Sequence, residues 1–215
     1  MKSGTGRNVV AICNPKLMNI FKNLSNLIDL HYKVFELQDD LREATTLLVD
    51  EECFELIKKN YDVSKVRVMK ISEDNVLTSL LELVGVTKVE TLVVGVDLGN
   101  AIVNYVIFAN NVLLDYGYVK RFSDLAEILS KVKNSLGPER VVIKVGVSPA
   151  GFWESFMSEV LRIVEEGKYS LVLVDEDSTT GTCPTTYIGR KDLKDPDLRA
   201  CINIALRGGL LKVTY

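Results

Sequence analysis

The 215 residues, 47% hydrophobic and 26% charged with a net charge of −3, have an ordinary globular make-up and can bury a core of one large or two small domains. The charge is spread without long acidic or basic blocks, which excludes a strongly basic nucleic-acid-coating chain without excluding nucleic-acid binding. No run approaches the roughly 18 apolar residues of a membrane span, and Met1–Arg7 lacks the order of a signal peptide, so the expectation is a cytoplasmic protein with no membrane partner.

Cys13, Cys53, Cys183 and Cys201 are widely spaced with no Cys-x-x-Cys pattern, and are expected to be reduced and partly buried. A single glutamine, Gln38, among many Val, Lys and Glu is the composition of heat-stable proteins, in which a Cys183–Cys201 bridge is the alternative.

In chain order, Asn8–Cys13 reads as a strand, and Pro15 opens a helix carrying Leu17, Ile20, Phe21, Leu24 and Leu27 at helical spacing. Strands follow at Tyr32–Leu37, Thr45–Val49 and Val66–Ile71, with a short helix through Cys53, Leu56 and Ile57 and another, begun by Ser72 to Asn75, bearing Val76, Leu80, Leu81 and Val84. Strands alternating with helices imply a small parallel α/β domain over residues 1–88. It shows no Gly-rich phosphate loop and no Cys or His cluster, and Asp50, Glu51 and Glu52 read as helix-start acids favoured by the helix dipole. His31 reads as an ordinary loop residue.

Thr91–Asn100 differs. Leu92, Val93, Val94 and Val96 make a buried strand, Asp97 stands where that strand surfaces, and Gly99 leaves room for a phosphate or a metal-bound ligand. Ala101–Phe108 is a second strand, Asn110-Asn111 a hairpin turn, and Val112–Val119 the returning strand. A helix over Phe122–Leu136, opened by Ser123 and closed by Gly137-Pro138, leads to a strand at Arg140–Val147. A helix over Phe152–Glu166 bears a stripe of Phe152, Phe156, Val160 and Ile163 with Trp153 beside it, which reads as core. Ser170–Val174 is a fifth strand, topped by Asp175-Glu176-Asp177, and Pro196–Leu206 is a last helix with Asp197 in its first turn, on the side of Cys201 and Ile204.

Three antiparallel strands followed by helix, strand, helix, strand and helix is the element order of the ribonuclease-H-like fold. The expected architecture is therefore α/β, with a C-terminal ribonuclease-H-like mixed sheet of five strands over residues 89–215, helices on both faces, preceded by the small parallel domain. Val-Asp-Leu-Gly at 96–99, Val-Gly-Val-Ser-Pro at 145–149, Val-Asp-Glu-Asp-Ser-Thr-Thr at 174–180 and Asp197-Leu-Arg-Ala-Cys-Ile-Asn-Ile-Ala-Leu206 resemble the motifs of the YqgF/RuvX group of Holliday-junction resolvases and RNA-processing nucleases, relatives of RuvC, over about residues 91–210.

The resemblance implies Asp97, Glu176 and Asp197 as catalytic acids holding Mg²⁺ or Mn²⁺, branched DNA or structured RNA as partner, and, because a four-way junction presents two equivalent strands, a homodimer. It departs from the group at Asp177, where Arg is usual, and at Asn100-Ala101. Arg190, Lys191, Lys194 and Arg199 make the segment near the proposed site locally basic and are the expected nucleic-acid contacts. Two other functions fit the same residues. An actin-like or sugar-kinase-like ATP-binding protein would use Asp97-Leu98-Gly99 as a phosphate turn, although its second turn needs adjacent glycines and the 175–182 segment has only Gly181; a non-catalytic protein of the same fold would bind nucleic acid or protein without cleavage.

Overall fold

The computed structural model describes residues 7–99, 101–147, 153–175, 187–190, 194–209 and 211–214, and divides into two compact units, Met1–Thr87 and Lys88–Tyr215. The first unit holds β1 (Arg7–Ala11), α1 (Pro15–Leu27), β2 (Lys33–Val34), β3 (Ala44–Val49), α2 (Glu51–Ile57), β4 (Arg67–Lys70) and α3 (Val76–Leu83). Its strands are all parallel in the order β2-β1-β3-β4. Such a sheet is covered on both sides, and its two central strands, β1 and β3, accordingly end in apolar buried runs at residues 9–11 and 47–49. Val9, Ala11, Leu47 and Val49 pack with Ile57 of α2 on one side, while Val10 and Leu48, pointing the other way, are equally buried. The strand expected over Tyr32–Leu37 shrinks to two residues. Beyond it Asp39 turns the chain by accepting from the Glu36 amide, and Leu37 is 84% exposed.

Asn14 begins α1, accepting from the Lys16 and Leu17 amides ahead of Pro15. Asp50 begins α2 in the same way. The expectation of reduced cysteines fails in this unit: Cys13 and Cys53 form a disulfide, and Cys201 is a free, buried thiol. Forty residues separate the partners in sequence, but β1 and β3 are parallel neighbours, so their C-terminal ends and the helix that follows β3 meet. Cys183 lies outside the described residues.

The second unit holds β5 (Thr91–Leu98), β6 (Val103–Ala109), β7 (Val112–Val119), α4 (Phe122–Leu136), β8 (Arg140–Val147), α5 (Trp153–Gly167), β9 (Ser170–Asp175), α6 (Pro196–Leu206) and β10 (Leu211–Thr214). The sheet order is β10-β9-β8-β5-β6-β7. β5, β6 and β7 are antiparallel, and β8 and β9 run parallel to β5. This is the ribonuclease-H-like arrangement, with a sixth strand, β10, added antiparallel to β9 where five were expected.

Asn110 forms the tight turn between β6 and β7 at φ +53°, and its side chain ties the turn to the start of β5 by accepting from the Glu90 and Thr91 amides and donating to the Lys88 carbonyl. α4 starts one residue before Ser123, whose amide donates to Glu159 of α5, so Ser123 is not its cap. Gly137 ends that helix in the left-handed region, as expected. Trp153 begins α5 and Phe152 precedes it, but neither side chain is among those described.

Candidate functional site

Strand alternation sorts the residues of β5 between its two sides. Leu92, Val94 and Val96 are fully buried on one. Val93, Gly95 and Asp97 face the other, which α6 covers. At Gly95 a Cβ would lie 2.2 Å from the Cys201 carbonyl oxygen and 2.8 Å from the Ala205 Cβ, so the helix backbone rests directly on the strand, and only glycine permits it. Along α6, Asp197, Cys201 and Ala205 recur every four residues and form one stripe. With Ala205 and Cys201 over Gly95, the next position of the stripe toward the helix start is Asp197, and the next residue of β5 on that side is Asp97.

Both ends of α6 are fixed. At its start Asp195 accepts from the Asp197 amide and Pro196 occupies the first turn, an arrangement that suits a helix N-terminus. At its end the Lys144 ammonium, from β8, donates to the Arg207 carbonyl. Lys144 is opposite Gly95 in the β5–β8 pairing, and so stands on the same side of the sheet. A cation is favoured at that end of a helix, although burial lowers the proton affinity of Lys144. Between the two ends, Ile204 packs on Val142, Val172 and Val174.

The consequence is electrostatic. Burial pushes the Asp97 carboxyl above its ordinary value, and the negative charge of Asp197 pushes it in the same direction; neither a hydrogen bond nor a cation among the described residues offsets the two. Asp197 itself is exposed. Cys201, next to Asp197 on the stripe, has its thiol pushed well up, by burial first and by the charge of Asp97 next. Two carboxylates that repel each other at the end of a strand, one of them half-buried, form a hard-oxygen donor pair suited to Mg²⁺ or Mn²⁺.

Of the residues singled out in the sequence, Asp97 and Asp197 are brought into one neighbourhood, while Glu176 and Lys191 lie outside the described residues. Lys194 and Arg199 are exposed at the start of α6. Arg190 lies elsewhere. It ends the segment 187–190, which pairs with the outer edge of β7 through Ile188, accepting from the Leu113 amide and donating to the Asn111 carbonyl. The Arg190 guanidinium donates to the Tyr116 hydroxyl at 3.5 Å.

The sequence reading missed a second cluster. Asp50 is 6% exposed and its carboxylate accepts from the Cys13, Asn14 and Cys53 amides at 2.9, 2.8 and 3.0 Å, so the acid and both cysteines meet at the ends of β1 and β3. Beside them a crevice of about 550 Å³ carries Asp50, Glu51, Glu52, Glu73 and Asp74. The available signal was pairwise: a cysteine two residues past the end of β1 and another four residues past the end of β3.

No protein-family model and no curated protein matches the chain. Among solved structures, T. thermophilus RuvC in complex with Holliday junction substrate is similar over 54% of this chain and 90% of that one, at 16% identity and a TM-score of 0.40. Another structure of Thermus thermophilus RuvC is similar over 53% and 90%, at 15% identity and a TM-score of 0.37.

Proposed function

We propose that the chain is a divalent-metal-dependent nuclease of the Holliday-junction-resolvase type, close to the YqgF/RuvX group, acting on branched DNA or structured RNA. The observation that carries this reading is the Asp97–Asp197 pair: a half-buried carboxylate whose only charged influence among the described residues is another carboxylate. A structural ion pair would supply a cation from the protein, and an acid serving as a turn or a cap would accept amide hydrogens. Asp97 has neither.

Asp97 and Asp197 would hold Mg²⁺ or Mn²⁺, with Glu176 as the third carboxylate, taken from the sequence resemblance. The bound ion would supply Lewis-acid activation of water and stabilisation of the leaving oxygen at a phosphodiester. The chain's own residues set the geometry. Gly95 lets α6 sit low enough to bring Asp197 beside Asp97, and Lys144 holds the far end of the same helix. Burial of Asp97 strengthens its interaction with any cation that displaces water from the site. Lys194 and Arg199, exposed at the start of α6, would meet phosphates approaching the acids; Lys191, and Arg190 at the edge of β7, would complete the proposed basic set.

The test has two stages. Mn²⁺ binding is measured by electron paramagnetic resonance in wild type and Asp97→Asn, and cleavage is assayed on four-way junctions, flaps and precursor RNA at low salt with Mg²⁺ or Mn²⁺. Binding and cleavage that both vanish in Asp97→Asn, with folding intact, support the nuclease. Metal-independent cleavage, or cleavage unchanged by Asp97→Asn, rules out this site. Metal binding without cleavage across that panel favours the non-catalytic reading, and nucleotide retained through purification favours the ATP-binding one.

A further inference from the structure

The strand register lays a row of three residues across the sheet on the side that carries α6. Asp97 of β5 is opposite Asn104 of β6, and Asn104 is opposite Tyr118 of β7. Directly opposed residues of antiparallel strands project to the same side, so a carboxylate, an amide and a phenol ring stand next to one another. Two strand spacings, about 10 Å, separate Tyr118 from Asp97. Their exposures differ sharply: Asn104 is 5% exposed and Tyr118 is 71% exposed. On the same side of β6, Val106 and Phe108 are fully buried. The covered part of the sheet therefore ends at this row, and an aromatic face is left open to solvent on its outer flank.

Cations flank its position along β7 on both sides. Lys120 is exposed two residues further along the chain. The Arg190 guanidinium contacts the hydroxyl of Tyr116, the residue before Tyr118 on the same side of β7. A ring that adds little to the core, placed between positive charges and an acid pair, matches the composition of a single-strand lane, in which cations follow the phosphates and an aromatic ring carries a base.

We propose that Tyr118 is a stacking platform for an unpaired base flanking the phosphodiester held at Asp97 and Asp197, with Lys120 and Arg190 meeting the neighbouring phosphates. This rests on the nuclease reading of the acid pair and narrows its substrate class. The base beside the scissile bond must be free to leave its stack, as at a junction crossover, a flap or a loop, and a continuous duplex does not satisfy the site. Every base offers a π face, so the selection is for unpaired structure and not for sequence.

The experiment measures binding of the full chain in EDTA to short fluorescein-labelled single strands of DNA and of RNA and to a blunt duplex, by fluorescence anisotropy across a salt series. Tyr118→Ala is expected to weaken single-strand binding roughly 5- to 100-fold while leaving duplex binding within about twofold and the salt slope unchanged. Tyr118→Trp restores it. Lys120→Ala weakens both substrates and flattens the salt slope by about one phosphate contact. The DNA and RNA arms show which sugar the lane accepts.

Tyr118→Ala binding single strands within about twofold of wild type overturns the proposal, as does a wild type that prefers the duplex. A dimer that Tyr118→Ala dissolves in sedimentation also overturns it, because the ring would then be a subunit contact. The nuclease reading is scored separately, by Mn²⁺ resonance without nucleic acid. A wild type that binds no Mn²⁺ overturns that reading and the placement of the base beside a scissile bond, whereas Mn²⁺ binding with an ineffective Tyr118→Ala overturns the stacking alone.

Discussion

Asp50 and Asp97 occupy equivalent places in their two units, each at the C-terminal end of a buried strand beside a helix, and their surroundings are opposite. Asp50 is the more deeply buried, and three backbone amides donate to its two oxygens, so its charge is fully used in joining β1, β3 and α2. Asp97 is half-buried, accepts nothing among the described residues, and faces Asp197. The acid that the fold satisfies is architecture, and the acid left in deficit among the described residues is the one proposed as a site. Position at a strand end separates nothing; the partners of the carboxylate do.

The comparison can be sharpened by substitutions with unequal effects. The largest is expected in the first unit. The Cys13–Cys53 bridge closes a 40-residue separation, so reduction, or Cys53→Ser, should cost about 4 kcal/mol in denaturant unfolding followed on the first unit. Binding of Mn²⁺ at Asp97 should be unchanged by it; coupled loss would show that the two acids do not belong to independent sites.

Next is Gly95→Ala. The added methyl would meet the Cys201 carbonyl oxygen at 2.2 Å, a backbone atom that no rotamer change can move, so α6 must lift. Overpacking of this kind costs about 3 kcal/mol, and because Asp197 rides on the same helix, Mn²⁺ affinity should fall with stability. Retained affinity would show that α6 does not position the acid pair.

The same conservative change at the two aspartates should then have opposite signs. Asp50→Asn removes an acceptor oxygen from a set of three amides and should destabilise by about 1–2 kcal/mol. Asp97→Asn in EDTA at neutral pH should stabilise by about 1 kcal/mol, because it removes a partly desolvated charge that the charge of Asp197 repels. The sign follows from linkage: the carboxyl of Asp97 holds its proton more tightly folded than unfolded, so its contribution to stability is present at low pH and is lost as pH rises through its raised folded value. Wild type and Asp97→Asn should therefore differ in Tm at neutral pH and converge in acid. A destabilised Asp97→Asn under metal-free conditions would give Asp97 a structural role like that of Asp50.

The smallest expected effect in this series is at buried Tyr105 and half-buried Asp115, on the side of the sheet away from α6. The Tyr105 hydroxyl donates to the Asp115 carboxylate at 3.1 Å, and burial raises both groups. Tyr105→Phe should cost about 1 kcal/mol without altering Mn²⁺ binding, a control showing that a half-buried acid with a donor is not by itself a metal site.

The sequence alone determined most of the elements and their order, though not β10 or the shortness of β2. Apolar runs of strand length, helical spacing, Pro15, Pro196 and Gly137 are local signals, and the hairpin at Asn110 needed only two adjacent residues able to turn the chain. From the order of elements the ribonuclease-H-like arrangement followed, since few topologies accommodate a meander and then two crossovers. The acids at positions 97 and 197 were legible as residues at a strand end and in a first helical turn, but each also fits an ordinary turn or helix start. Tertiary structure alone decided which aspartate is satisfied. Three amides from two chain segments converge on Asp50, whereas a helix allowed close by Gly95 sets a second charge beside Asp97. It also paired Cys13 with Cys53, and it aligned Asp97, Asn104 and Tyr118 across three strands. Pairing register and the approach of a helix to a sheet are set by packing between residues far apart in the chain, and no local pattern encodes that sum.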